Sequence, residues 1–401
     1  MMNEFFKKHG NKLYLLLLLL FLMAALFRLG IKLTNKSENN VQTPGIVFTQ
    51  WWEKESDKDI LLEIISEFES LHDDFKIILN TCTYEDLRLA LFQGTPLADN
   101  SPGDIIALDP LWVSELAKKE IIEKVNANSV SFINILYYNI DILKEAGFSR
   151  PPKTRSEFLA YARRIAGGKK NMAALALGMN SSRGIYDDVL PWIWSAGLQL
   201  INGGKPQVNS RSVVDCLSFL ASLNNEGLLT PRSFTADLAG KLDDFVSGKA
   251  AFVIAPANAI GFVREKLGDE AFGVTSIPVP DNYAGKSFFS ASAWIVGVNS
   301  ASAHKEKAKL FADYLAEKTA FISDRLKASP GNGIPPAYDT FYSKVLDIAI
   351  SGEIAQDFSD LNWVELEDGF KEELSALFAG KSAAATAAAI QKRWEAIIAY
   401  N

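Results

Sequence analysis

Residues 46–80 read IVFTQWWEKESDKDILLEIISEFESLHDDFKIILN, and the spacing of apolar residues within them decides the fold class. IVFTQWW (46–52) is a short strand-like run that ends at a tryptophan pair. DILLEIISEFESL (59–71) places Leu61, Leu62, Ile65, Phe68 and Leu71 on one helical face, and FKIILN (75–80) is strand-like again. This is one βαβ unit. The alternation continues with a helix at YEDLRLALFQG (84–94) closed by Gly94, a strand at DIIALD (104–109) and a helix at LWVSELAKKE (111–120). Alternation of this kind predicts α/β layers built on mostly parallel sheets.

Upstream, LYLLLLLLFLMAALF (13–27) follows the basic residues Lys7, Lys8, His9 and Lys12, which is the layout of an export signal. The apolar run continues to Ile31 past the single charge of Arg28, without a small-x-small cleavage site or a following cysteine. Residues 1–31 are therefore a signal peptide or, as the preferred reading, an uncleaved N-terminal membrane helix. In the latter case residues 13–31 tether the protein to the cytoplasmic membrane with the folded part on its exported, periplasmic or extracytoplasmic face. The polar stretch KLTNKSENNVQTP (32–44) is the linker.

Downstream, SFINILYYN (131–139) reads as a strand, and Thr154 with Glu157 three residues on signals a capped helix start. A second α/β body follows, with strands at 174–179, 250–256, 272–280 and 291–299, and helices at 188–197, 213–227 and 304–317. The last third is helical. A chain of 401 residues exceeds one usual core, so two lobes are expected.

The net charge of −7 argues against a nucleic-acid surface, which needs clustered Lys and Arg. Cys82 and Cys216 stand alone, and His9, His72 and His304 are scattered, so neither a disulfide framework nor a metal site can be assembled. Gly285-Lys286-Ser287 and Gly380-Lys381-Ser382 imitate the end of a phosphate loop but lack its first glycine. No cofactor is predicted. The carboxylate pairs Asp187-Asp188, Asp243-Asp244 and Glu372-Glu373 are adjacent in sequence, so their side chains point apart, which disfavours a hydrolase.

Five blocks then carry a resemblance: IVFTQWW with ISEFES; FQGTPLADNSPGDIIALDPLWVSELAKKEII; LYYNIDILKEAGFSRPPKTRSEFLAYARRI; FVSGKAAFVIAPAN; and SASAWIVGVNSASAHKEKAKLFADYL. In this order they resemble the family 1 extracellular solute-binding proteins, the maltose- and glycerol-phosphate-binding group of importer receptors. The resemblance implies two α/β lobes of the type II periplasmic-binding-protein fold, with a solute trapped between them by hinge closure. It puts crossings near Phe132–Leu136, Phe288–Ile295 and Ser351–Asp357, lobe 1 at 45–133 and 290–350, and lobe 2 at 134–289 and 351–401. It also implies a monomeric, non-enzymatic receptor that captures a sugar or sugar-like solute and meets permease subunits of an ATP-driven importer. A carbohydrate-active hydrolase and a membrane-tethered sensor or scaffold are the alternatives. In two places the chain departs from the family: only NANSVSFIN (126–134) stands where several tens of groove-shaping residues are usual, and Gly103-Asp104 replaces Pro-Asp.

Sugar sites stack aromatic rings on apolar C–H faces and meet hydroxyls with carboxylates and amides. On that basis the candidate ligand contacts in the first lobe are Trp51, Trp52, Tyr84, Asp109 and Trp112. In the second lobe and the crossings they are Asp187, Trp192, Trp194, Asn258, Ser292, Trp294, Trp363 and Glu367. Core packing and helix capping are the competing readings, and Asp109 in particular is placed to cap the next helix.

Overall fold

The structure is a computed structural model that describes residues 45–52, 58–98, 101–123, 129–168, 172–326, 329–330, 339–355, 358 and 360–399. The proposed signal segment and linker lie outside these residues. No helix among the described residues is long and apolar enough to cross a membrane.

The opening βαβ unit forms from β1 (Gly45–Gln50), α1 (Asp59–Leu71) and β2 (Lys76–Thr81), followed by α2 (Tyr84–Gln93), β3 (Ile105–Leu108) and α3 (Pro110–Lys118). Helix α1 buries Ile60, Leu61, Ile64, Ile65 and Phe68, whereas the predicted Leu62 and Leu71 are exposed. Two apolar stripes compete on this helix, and the one pairing neighbours one turn apart is the more compact. Gly94 ends α2 at φ 70° and returns its N–H to Leu89 O. At the Gly103-Asp104 turn, Gly103 has φ +88° and a Cβ there would come within 2.9 Å of Val47 O, so proline could not take this position.

From β4 (Val130–Asn139) the chain runs through α4 (Ile140–Glu145), α5 (Arg155–Ala166), β5 (Ala173–Ala176), α6 (Leu190–Trp194), a small hairpin of β6 (Ile201–Asn202) and β7 (Lys205–Pro206), α7 (Arg211–Asn225) and α8 (Leu238–Val246). Then come β8 (Ala250–Pro256), α9 (Ile260–Leu267), β9 (Phe272–Thr275), β10 (Phe288–Phe289), β11 (Ala291–Val298), α10 (Lys305–Glu317), α11 (Thr319–Arg325) and β12 (Ser329–Pro330). The chain closes with α12 (Thr340–Ser351), β13 (Glu353–Ile354), α13 (Trp363–Phe378) and α14 (Ala383–Ala399). Thr154 caps α5 by accepting from Glu157 N at 3.3 Å, while the Glu157 side chain turns to Lys153 N and Arg150.

Among the described residues, β11 and β4 join two sheet regions into one hydrogen-bonded sheet, in the order β2-β1-β3-β11-β4-β8-β5. In the first region β1 lies parallel to β3, and the second half of β11 pairs antiparallel with β3. The first half of β11 pairs with β4 from Val130 to Ile133. From Asn134 onward β4 pairs antiparallel with β8, and from Leu136 with β9, while β5 lies parallel to β8. The sheet is thus mixed, which corrects the expectation of mostly parallel sheets: strands that pass from one region to the other arrive from the opposite direction and pair antiparallel.

Helix α12, assigned by sequence to lobe 1, packs on β9: Phe341 stacks on Phe272 at 4.4 Å, and Arg264 of α9 pairs with Asp339 at 2.5 Å. The aromatic ring and the arginine that hold it, Phe272 and Arg264, lie on β9 and α9. Strand β12 pairs with the start of β4, and residues 331–338 lie outside those described. In the segment expected to cross at 351–357, β13 lies parallel to β10, and Asp357 is outside the described residues. At the C-terminus, α14 is held by Trp394 Nε1 donating to Leu366 O at 2.9 Å and by Gln391 Oε1 accepting from Val208 N at 2.8 Å.

Candidate functional site

At the C-terminal end of β1, Gln50 shapes the tryptophan turn: its Nε2 donates to Thr81 Oγ1 at 2.8 Å and its Oε1 accepts the Trp52 N–H. Trp52, 2% exposed, packs against Trp294 of β11 with ring centroids 4.6 Å apart. Trp51 remains half-buried and meets Tyr84 edge-on at 5.5 Å. These rings form one wall of a cleft of about 980 Å³, part of it open to solvent. The cleft lies where α/β sheets place ligands, at strand ends where the chain order switches.

The floor is polar. Asn134, the β4 residue at which pairing changes sheet region, donates from Nδ2 to Asp187 Oδ1 and to Ser290 Oγ, both at 2.8 Å. Ser292 Oγ donates to the same Asp187 oxygen at 3.1 Å. Asp187 reaches this point because residues Ile185–Val189 form a π-helical turn ahead of α6. Wide turns of this type recur at functional sites. Gly184 before it passes so close to Gly178 that a Cβ would lie 2.5 Å from the Gly178 carbonyl oxygen.

Arg183 extends from the same turn. Its Nε donates to Asp187 Oδ2 at 3.0 Å, its Nη1 pairs with Asp109, and its guanidinium lies 5.4 Å from the Tyr84 ring and 5.5 Å from that of Tyr186. Burial opposes the Arg183 charge, but Asp187 and the neighbouring phenols and carboxylates outweigh it and raise its pKa above the ordinary value. The adjacent Asp188 points the other way, to Lys241 Nζ at 2.7 Å and to the Gly178 N–H at 2.9 Å. Burial raises the Asp188 pKa, and Lys241 counters it. Two carboxylates side by side thus hold different partners, and neither is set across a cleft from the other.

Of the sequence candidates, Trp51, Trp52, Tyr84, Asp187, Ser292 and Trp294 line the cleft. The others do not. Asp109 is 1% exposed and caps α3 through Leu111 N at 3.0 Å, with Tyr84 Oη donating to it at 3.0 Å. Trp112 packs behind Tyr84 at 4.6 Å. Trp192 sits against Phe158 and Phe219, and Trp194 against Tyr186 and Phe358. Trp363 stacks on Phe358 at 4.6 Å, and Asn258 is buried in a single turn, Ala257–Ala259, after β8. Glu367 is fully buried, 4.0 Å from Arg88, and burial lifts its pKa to about 7 against the pull of Arg88 and Arg183. A large ring or a single carboxylate in sequence carries no mark of which side of its element meets the core.

Arg183, Glu85 and Lys241 line the cleft without having been singled out. Lys241 had a legible signal: it shares an α8 stripe with Leu238, Leu242 and Phe245, and a lysine on an apolar stripe needs a buried partner. Glu85 and Arg183 stand in no distinctive spacing. Among the described residues, no cluster of His, Cys, Asp and Glu could hold a metal ion, and Cys82 and Cys216 are free thiols.

Residues 52–320 match the family described as bacterial extracellular solute-binding protein. The chain is 24% identical over 262 residues to the "Probable ABC transporter-binding protein" of Deinococcus radiodurans, which is 57% of this chain and 62% of that protein, so it spans less than two thirds of that relative's length. Among solved structures, maltose-bound T. maritima MalE3 superimposes with a TM-score of 0.73 at 18% identity, over 88% of this chain and 99% of that one. The GacH receptor of Streptomyces glaucescens, described unliganded and with acarbose, gives 0.72 at 16% identity over 88% and 98%. At such identities the likeness speaks for the fold alone, a two-lobed α/β periplasmic-binding-protein fold. The chain belongs to the bacterial extracellular solute-binding proteins.

Proposed function

We propose that this chain is an extracytoplasmic receptor that captures a sugar or sugar-like solute in the cleft and delivers it to the permease of an ATP-driven importer. The observation that carries the reading is the meeting of an aromatic wall, Trp51, Trp52 and Trp294, with the hydrogen-bonded floor of Asp187 and Ser292 in one cleft. A pyranose offers both an apolar face for the rings and hydroxyls for the carboxylate. Nearby, Trp294 Nε1 and Asn134 Oδ1 are buried without a hydrogen-bond partner among the described residues, the condition that a ligand hydroxyl or a water relieves.

In this reading lobe 1 comprises residues 45–133 and 290–326, lobe 2 comprises 134–289 and 339–399, and β4 and β11 are hinge strands. Closure brings Tyr84 and Glu85 of one lobe against Ser182 and Arg183 of the other. The protein acts as a monomer, performs no chemistry on its solute, and is tethered by residues 13–31. Support for the carbohydrate comes from the maltose- and acarbose-bound state of the two structural neighbours. The test is calorimetry with maltose, maltotriose and simple polyols, with product analysis after incubation. Saturable binding without turnover is expected; released product would replace the receptor with a hydrolase, and no heat with any of them would leave a sensor or scaffold.

A further inference from the structure

We propose that the cleft selects uncharged or amine-bearing sugars and rejects sugar acids and sugar phosphates. The proposal rests on the receptor reading and names its ligand class. Four carboxylates, Glu85, Asp187, Asp188 and Asp237, line the cleft against two cations, Arg183 and Lys241. Both cations already serve carboxylates of the site. Lys241 is committed to Asp188 at 2.7 Å, with both side chains 1% exposed. Arg183 is held by Asp187 at 3.0 Å and by Asp109, with Tyr84 and Tyr186 near its guanidinium.

An anionic solute that recruited either cation would strand a buried carboxylate, a change far more costly than losing a surface pair. An anion that recruited neither would sit unpaired beside like charges in a medium of low dielectric. The other usual anion site, a helix N-terminus, is taken as well. Helix α8 begins at the cleft, and Asp237 already accepts its Gly240 N–H at 2.9 Å. Helix α2 also begins there, capped by Thr83 and carrying Glu85 and Asp86 in its first turn.

A hydroxyl meets none of these obstacles. Carboxylate oxygens have more than one lone pair, so a hydroxyl can donate to an oxygen that already accepts from the protein. An ammonium group gains further from the surplus of negative charge.

The experiment uses the full chain in a non-glycosidic detergent, with calorimetric titration of maltose, maltobionate, glucosamine and glycerol 3-phosphate. Maltose is expected to bind, maltobionate about tenfold or more weaker, glycerol 3-phosphate not measurably, and glucosamine at least as well as a neutral monosaccharide control. Glu85→Gln, which keeps an acceptor for Ser182 but removes one charge, is expected to narrow the gap between maltose and maltobionate about threefold. Equal or tighter binding of maltobionate or glycerol 3-phosphate would overturn the selectivity while leaving the receptor reading in place. Binding of no sugar, charged or neutral, would overturn both.

Discussion

Ser182 donates its backbone N–H and its hydroxyl to one oxygen of Glu85, at 2.9 and 2.7 Å, across 97 positions of sequence. The bond joins the first turn of α2 to the segment before the π turn, the two rims of the cleft. Arg88, one turn along α2, adds a second clasp to Asp368 of α13 at 2.5 Å. Replacing Glu85 with alanine removes a charge-assisted pair of hydrogen bonds, worth on the order of 1–3 kcal/mol toward the closed form. Small-angle scattering of the ligand-free variant is expected to give a larger radius of gyration than the native chain. An unchanged radius would mean that the contact holds nothing shut.

The Lys241–Asp188 pair offers a stability test because both side chains are almost wholly buried. Lys241→Met alone leaves a buried carboxylate without its cation and is expected to cost about 3–5 kcal/mol. The double variant Lys241→Met/Asp188→Leu should recover most of that loss in denaturant unfolding. Equal destabilisation of the single and double variants would show that packing, and not charge, is what the pair contributes.

Glu367 makes stability depend on pH in the direction opposite to a salt-bridged carboxylate. Burial raises its pKa from 4.5 to about 7, so between those values the folded state holds a proton that the unfolded state releases. Its contribution is most favourable at and below pH 4.5 and is lost as pH rises to about 7. The full effect is on the order of 3 kcal/mol, from 1.36 kcal/mol per unit. Glu367→Gln should flatten this part of the stability profile and gain on the native chain at pH 8; parallel profiles would refute the assignment.

Among the cleft tryptophans, only Trp51 permits a clean binding test. Trp52 and Trp294 are each 2% exposed, so alanine at either is expected to cost about 3–5 kcal/mol of folding stability together with any affinity. Trp51 is half-buried, and Trp51→Ala should lower solute affinity about tenfold with a much smaller fall in Tm. Native affinity in that variant would remove Trp51 from the contact wall.

Much of the fold was legible because it depends on local chemistry. Apolar spacing marks β1, α1 and β2, Gly94 supplies the left-handed end of α2, and Thr154 supplies the cap of α5. The stripe that α1 buries was misread, since Leu62 and Leu71 fit a helical period as well as Ile60 and Ile64 do. Periodicity defines a face only to within one residue's rotation. The packing partners of α12, Phe272 and Arg264, lie some 70 positions away in sequence and leave no trace in its own pattern.

The sequence by itself determined the order of elements and the kinds of side chain available to a solute. Tertiary structure alone decided which of them meet. Adjacent residues part company: Asp187 turns to Asn134 and Arg183, Asp188 to Lys241. Trp192 and Trp194 both enter the core, because α6 is a five-residue helix buried on every side and has no face to present to a cleft. Arg183 became the centre of the site through Asp109, Tyr84 and Asp187, three groups that only the joining of two sheet regions by β4 and β11 brings within reach. The reason is physical: a side chain's direction follows from local backbone geometry, but its partner follows from which surfaces burial forces together.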